Sequence, residues 1–139
     1  LERALLSASW GQGIRARLAR LGGDEFVALV IARDTRTAGE RVAAAMLAQL
    51  QQPFEIAGKS LKIGLSIGLT RFPEDGLSSR LLLKQGDLAM YQAKQQGKQR
   101  FQFYSGQLTE AAEQRLELEN ELRHALAAGT LDLHYQPIH

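Results

Sequence analysis

The sequence predicts an α+β domain in which an antiparallel sheet is covered by helices. Three observations predict it. Ile14-Arg15-Ala16-Arg17-Leu18 alternates apolar and polar residues, and after Gly22-Gly23-Asp24-Glu25 comes the apolar run Phe26-Val27-Ala28-Leu29-Val30-Ile31. Strand, glycine turn and buried strand together signal a hairpin. A second strand-rich stretch, also with a central glycine, occupies residues 54–70. Finally, segments with helical spacing separate these hairpins, which suits a sheet with helices on one face rather than alternating parallel units.

The elements follow in order. Residues 1–12 are ambiguous: Leu1, Leu5 and Leu6 suit the tail of a helix, and Trp10-Gly11-Gln12-Gly13 breaks it. The first hairpin comes next. Residues 35–52 read as a helix, with Ala38, Val42, Ala45, Met46 and Leu50 near helical spacing, Asp34 or Thr35 as its cap and Pro53 as its stop. Residues 54–57 and 61–70 read as a second hairpin around Gly58-Lys59. Phe72-Pro73-Glu74-Asp75-Gly76 is a loop by its turn residues. Residues 78–96 read as a second long helix ending near Gly97, and Phe101 to Tyr104 as a short strand. A third helix spans 107–128, with Leu108, Ala112, Leu116, Leu122 and Leu126 as its apolar stripe. Gly129 stops it, and Leu131-Asp132-Leu133-His134-Tyr135 begins a new alternating strand. That helix and strand read either as a link into a further domain or as a tail packed back on the core.

Composition narrows the function classes. Lys plus Arg is 17 and Asp plus Glu is 15, a net charge of +2. This near balance argues against a DNA binder, which needs a dense basic face. There is no cysteine, so disulfides and thiolate zinc sites are excluded. No apolar run is long enough to cross a bilayer. The first residue is not Met, so a piece of a longer protein is expected.

The turn Gly22-Gly23-Asp24-Glu25 is where chemistry is expected. Glycines let a phosphate approach the backbone, and paired carboxylates can hold a divalent cation. Taken alone, an exposed hairpin tip explains these residues as well. The flanking motifs shift the balance. Arg20-Leu21-Gly22-Gly23-Asp24-Glu25-Phe26, then Leu65-Ser66-Ile67-Gly68-Leu69-Thr70 with Phe72-Pro73-Glu74-Asp75-Gly76, then Asp87-Leu88-Ala89-Met90-Tyr91-Gln92-Ala93-Lys94 with Gly97-Lys98 occur in order. Together these motifs, over about residues 14–104, resemble the GGDEF family, the diguanylate cyclases. Leu122-Arg123-His124-Ala125-Leu126, Gly129 and Leu133-His134-Tyr135-Gln136-Pro137-Ile138 resemble the opening of an EAL phosphodiesterase domain.

The resemblance implies a fold akin to nucleotide-cyclase and polymerase palms. The expected organisation is a partial GGDEF domain over 1–104, a linker helix over 105–130 and the first strand of a truncated EAL domain over 131–139. It implies cyclic di-GMP signalling in the cytoplasm. Two GGDEF domains, as a homodimer, each hold one GTP, and each 3′-hydroxyl attacks the α-phosphate of the other GTP. Carried over by residue, Asp24 and Glu25 are the catalytic and metal-binding acids, with Mg²⁺ or Mn²⁺ as cofactor. Gly22 and Gly23 admit the nucleotide, while Lys94 and Lys98, placed one helical turn apart, neutralise its terminal phosphates.

Departures from the family pattern temper this expectation. The family's upstream metal-binding Asp has no counterpart, because no Asp precedes Asp24 and the only earlier acid is Glu2. The Asn and Asp that read the guanine edge are absent as well. Gly13-Ile14-Arg15-Ala16 stands where many relatives carry the Arg-x-x-Asp product-binding site, and neither residue is in place. Half a cation site remains, so this chain alone is expected to be inactive. The alternative expectation is a degenerate GTP-binding module that regulates an adjoining EAL domain. Asp87 is expected as a structural acid, Met90 and Tyr91 as core, and His124 and His134 as ordinary surface or strand residues.

Overall fold

The computed structural model describes residues 13–132. The first hairpin forms as β1 (Arg15–Gly22) and β2 (Glu25–Ile31), antiparallel, with Arg17 opposite Leu29, Leu18 opposite Ala28 and Arg20 opposite Phe26. The strands run closer to the turn than the alternation alone suggested. Gly22 pairs with Glu25, and the register slips between Arg20 and Gly22, so Leu21 is the extra residue of a bulge. One face of β1 carries Ala16 and Leu18, half-buried like Ile14 just before the strand, and the other carries exposed Arg15 and Arg17.

Helix α1 (Thr35–Gln49) follows. Asp34 is its N-cap: its carboxylate accepts a hydrogen bond from the Thr37 N–H at 3.0 Å. Hydrogen bonding from the Thr37 side chain, and second from its N–H, holds the Asp34 pKa below the usual carboxylate value. Ala38, Gly39, Val42, Ala43 and Met46 are the buried face. Ala45 and Leu50, expected on that face, are only half-buried, and Ala43 takes the inner position instead. Val42 and Met46 pack against Ile14, Ala16 and Leu18 of the β1 side, Ala28 and Val30 of β2, and also Leu65 and Ile67. One helix therefore covers residues from two different sheets.

The second hairpin is smaller than expected. It consists of β3 (Phe54–Ile56) and β4 (Lys59–Leu61), with Phe54 opposite Leu61. Ala57 and Gly58 turn it with φ of 51° and 75°, the two positive values of a type I′ turn. The strand expected over 61–70 divides: β4 ends at Leu61, and a separate β5 (Ile67–Leu69) begins later. β5 pairs with β6 (Phe101–Phe103) in parallel, Ile67 opposite Phe101. Parallel neighbours need a long crossover, and α2 (Ser79–Gln95) supplies it. The fold is thus α+β with antiparallel hairpins, and one parallel pair is added to the expected pattern.

Helix α2 lies so close to β5 that position 68 admits only glycine. A Cβ on Gly68 would overlap the Gly86 carbonyl oxygen and stand 2.6 Å from Met90 N. Ala89 and Ala93, both fully buried, continue this close approach along α2. Ser78 caps the start of α2, accepting from the Leu81 N–H at 3.3 Å. The loop before it is closed by Asp75. The Asp75 carboxylate accepts from the Arg71 N–H at 2.6 Å, and its own N–H donates to the Arg71 carbonyl at 2.8 Å.

The chain divides into two units, Leu1–Ser105 and Gly106–His139. In the second, α3 (Gly106–Ala128) has no buried residue. Leu116, Leu122 and Leu126 of its apolar stripe are exposed, while Leu108 and Ala112 are half-buried. Gly129, with φ 64°, ends it, and the Thr130 N–H returns to the Ala125 carbonyl at 3.0 Å. Leu131 and Asp132 are not in a strand. The rest of the expected final strand, Leu133 to Tyr135, lies outside the described residues, as do His134, Gln136 and Pro137. No helix among the described residues is long and apolar enough to cross a membrane.

Candidate functional site

The site is a hairpin turn, and its shape follows from its glycines. Gly22 closes the ladder opposite Glu25, leaving Gly23 and Asp24 as a two-residue loop. Gly23 has φ 51°, the left-handed conformation that the first position of such a loop demands and that a Cβ disfavours. Nothing lies within 4 Å of where a side chain on Gly22 or Gly23 would begin. On that side the backbone of the tip is open. Asp24 and Glu25 are both exposed, adjacent in sequence and directly beside that opening.

The two lysines belong to another element. Lys94 lies in the last turn of α2. Lys98 does not share its helix face, contrary to expectation. Gln96 is the C-cap, Gly97 has φ 110° and Lys98 itself has φ 60°. The Lys98 N–H donates back to the Ala93 carbonyl at 3.1 Å, the long bond that seals a helix ending at glycine. Lys98 is therefore held by a cap rather than by a further helical turn. Both lysines are exposed, and among the described residues no ion pair joins either to Asp24 or Glu25.

Carboxylate oxygens suit a hard divalent cation, which usually takes more than one protein carboxylate together with water and phosphate oxygens. Among the described residues, no three His, Cys, Asp or Glu side chains come together to hold a metal. Asp24 and Glu25 are thus two carboxylates of such a set, with no third acid or His beside them among the described residues.

Other expectations are corrected. Asp87 is exposed rather than buried. Tyr91 is 48% exposed and its hydroxyl accepts from the Gln95 side chain at 3.0 Å. Met90 is half-buried. His124 is exposed, as expected. A hollow lined by Ile14, Ala32, Thr37 and Ala38, with Arg33 and Arg41 beside them, lies at the far end of the hairpin from the turn. None of the six predicted site residues lines it.

Comparison with known proteins agrees with this fold. The family model described as the diguanylate cyclase GGDEF domain matches residues 4–100. The chain belongs to the GGDEF domain family. It is 39% identical over 120 residues to MucR of Pseudomonas aeruginosa, described as a bifunctional diguanylate cyclase/cyclic di-GMP phosphodiesterase; the match covers 86% of this chain and 17% of MucR. It is 37% identical over 121 residues to the cyclic di-GMP phosphodiesterase NbdA of the same organism, covering 87% of this chain and 15% of that protein. Among solved structures, an EAL/GGDEF domain protein from M. capsulatus superposes with a TM-score of 0.65 at 36% identity, covering 75% of this chain and 64% of that one. The GGDEF domain of TpbB from P. aeruginosa gives a TM-score of 0.60 at 32% identity, covering 65% of this chain and 56% of that one. The chain thus spans about a sixth of the length of the curated relatives it matches.

Proposed function

We propose that this chain is the motif-bearing part of a GGDEF domain that condenses two GTP into cyclic di-GMP within a longer cytoplasmic protein. The observation that carries the reading is the turn itself. Gly22 and Gly23 offer an open backbone, Asp24 and Glu25 stand unreplaced beside it, and the family match surrounds them. In this reading Gly22 and Gly23 admit the nucleotide phosphates, which any side chain would obstruct. Asp24 and Glu25 supply oxygen ligands toward Mg²⁺ or Mn²⁺, together with groups that this chain does not contribute. Such a metal, when bound, neutralises charge developing on the phosphates. Lys94 and Lys98 act as point charges for the terminal phosphates. The partner is a second GGDEF domain holding the other GTP.

We further propose the order 1–104 GGDEF, 105–130 linker helix and 131–139 start of an EAL domain, supported by the EAL/GGDEF relative from M. capsulatus. The chain by itself is proposed to be inactive, because its acids fall short of a cation site among the described residues. That same shortfall favours a second reading, in which the domain binds GTP and controls an adjoining EAL phosphodiesterase without turnover. The experiment is GTP turnover in Mg²⁺ by the 139-residue chain and by the longer native protein. Cyclic di-GMP from the longer protein alone is expected under the first reading. GTP binding without product from either selects the second.

A further inference from the structure

Arg20 reaches over the turn and grips one backbone oxygen. Its Nε and Nη2 donate to the Gly23 carbonyl oxygen at 2.9 and 2.6 Å. Its guanidinium carbon lies 6.0 Å from the centre of the ring of Phe26, its cross-strand partner. Both prongs of the fork are on a single acceptor, and the Phe26 ring provides a floor beneath them. The register slip at Leu21 separates Arg20 from the last strand pair, within reach of the turn.

The grip has a directional effect. The Gly23–Asp24 peptide is trans and planar, so its oxygen and its N–H point opposite ways. Anchoring the Gly23 oxygen on Arg20 therefore aims the Asp24 N–H away from Arg20. It also fixes the plane from which the Asp24 side chain departs. Without the grip, glycine at 23 would leave this peptide free to rotate, because glycine has the widest choice of backbone conformations.

We propose that Arg20 is a positioning residue of the nucleotide site. It holds the Gly23–Asp24 peptide so that the Asp24 N–H is presented as a donor to a phosphate oxygen, and so that the Asp24 carboxylate starts from one fixed place. This rests on the GTP reading above and adds a residue to it. The guanidinium acts through the carbonyl it holds rather than by touching substrate. A lysine keeps the charge but lacks the fork, so it cannot substitute.

The test uses the full 139-residue chain, its Arg20→Lys and Arg20→Ala variants, and nitrogen–proton NMR. Without ligand, the Gly23 and Asp24 amide resonances are expected to move in both variants. The amides of Ala16–Leu18 and Ala28–Val30 should stay in place, which shows the hairpin still folded. On titration with GTP in Mg²⁺, both variants are expected to bind roughly tenfold more weakly, the effect of losing a charge-assisted hydrogen bond. Unmoved Gly23 and Asp24 resonances overturn the grip. Wild-type affinity in Arg20→Lys overturns it as well, because charge alone then suffices. A wild-type chain that ignores GTP, with the resonances still moving in the variants, overturns the nucleotide role of Arg20 while the grip on the turn stands; the GTP reading itself is decided by turnover in the longer native protein.

Discussion

Substituting Gly68 by alanine is predicted to be the most damaging single-methyl change in the first unit. The added Cβ would overlap the Gly86 carbonyl oxygen and lie 2.6 Å from Met90 N and 2.9 Å from Gly86 C. All three atoms are helix backbone, so no side chain can swing aside. Relief requires β5 and α2 to separate, which would loosen the packing around Ala89 and Ala93, both fully buried. Overpacking a core costs about 1–3 kcal/mol, occasionally more, and a backbone obstacle places Gly68→Ala at about 3 kcal/mol. That is a large share of the roughly 5–15 kcal/mol that holds a domain together. At about 4–8 °C per kcal/mol for a domain of this size, the melting midpoint should fall by roughly 12–24 °C. Gly86→Ala is the matched control, since its Cβ meets only Thr70 Cγ2 at 3.9 Å. Inside a helix, alanine gains up to about 1 kcal/mol over glycine, so this variant should melt at or above the wild-type temperature. The assay is thermal unfolding followed by circular dichroism at the helix band. A Gly68→Ala midpoint equal to wild type, or an equal fall for Gly86→Ala, would refute the one-sided contact.

Other expectations follow from named contacts. The Asp34 pKa is lowered, chiefly by the Thr37 hydrogen bond, so its capping contribution is complete above the ordinary carboxylate pKa and is lost as pH falls through the lowered one. Acid titration should therefore fray the start of α1 first in wild type, and Asp34→Ala should remove that pH dependence; an unchanged acid limb would count against the cap. Asp75→Ala should cost about 1.5–3 kcal/mol in urea unfolding, because a part-buried carboxylate that accepts from the Arg71 N–H at 2.6 Å is removed. Glu119→Gln should change stability by less than about 0.5 kcal/mol, because its pair with Arg115 is exposed on both sides; a larger loss would show that the pair is not simply solvated.

Much of this fold was legible because its signals are local. Alternation in 14–18 and the apolar run 26–31 announced the hairpin, and Asp34 and Gly129 marked helix ends that the structure keeps. The parallel β5–β6 pair was not legible, since three-residue strands carry too little pattern to reveal a partner some thirty positions away. The Gly68–Gly86 contact was equally hidden: both glycines are visible in the sequence, but their meeting depends on tertiary packing. Lys98 could have been placed correctly. Gly97 stands between it and Lys94, and a glycine after a helix ends the face that would have joined them. The turn residues of the site were readable from the motif. Arg20 opens the motif two positions before Gly22, but its role escaped because it depends on a side chain reaching across three residues to the Gly23 carbonyl.

We propose that Asp24 serves cyclic di-GMP synthesis in the longer native protein. The most direct measurement is cyclic di-GMP formed from GTP in Mg²⁺ by that protein and by its Asp24→Asn variant, with folding of both confirmed by circular dichroism. Product from the wild type and a loss of at least a hundredfold in the variant is predicted, since a positioned acid contributes about 10²–10⁴-fold to such a step. Equal product from both, or none from the wild type, would contradict it.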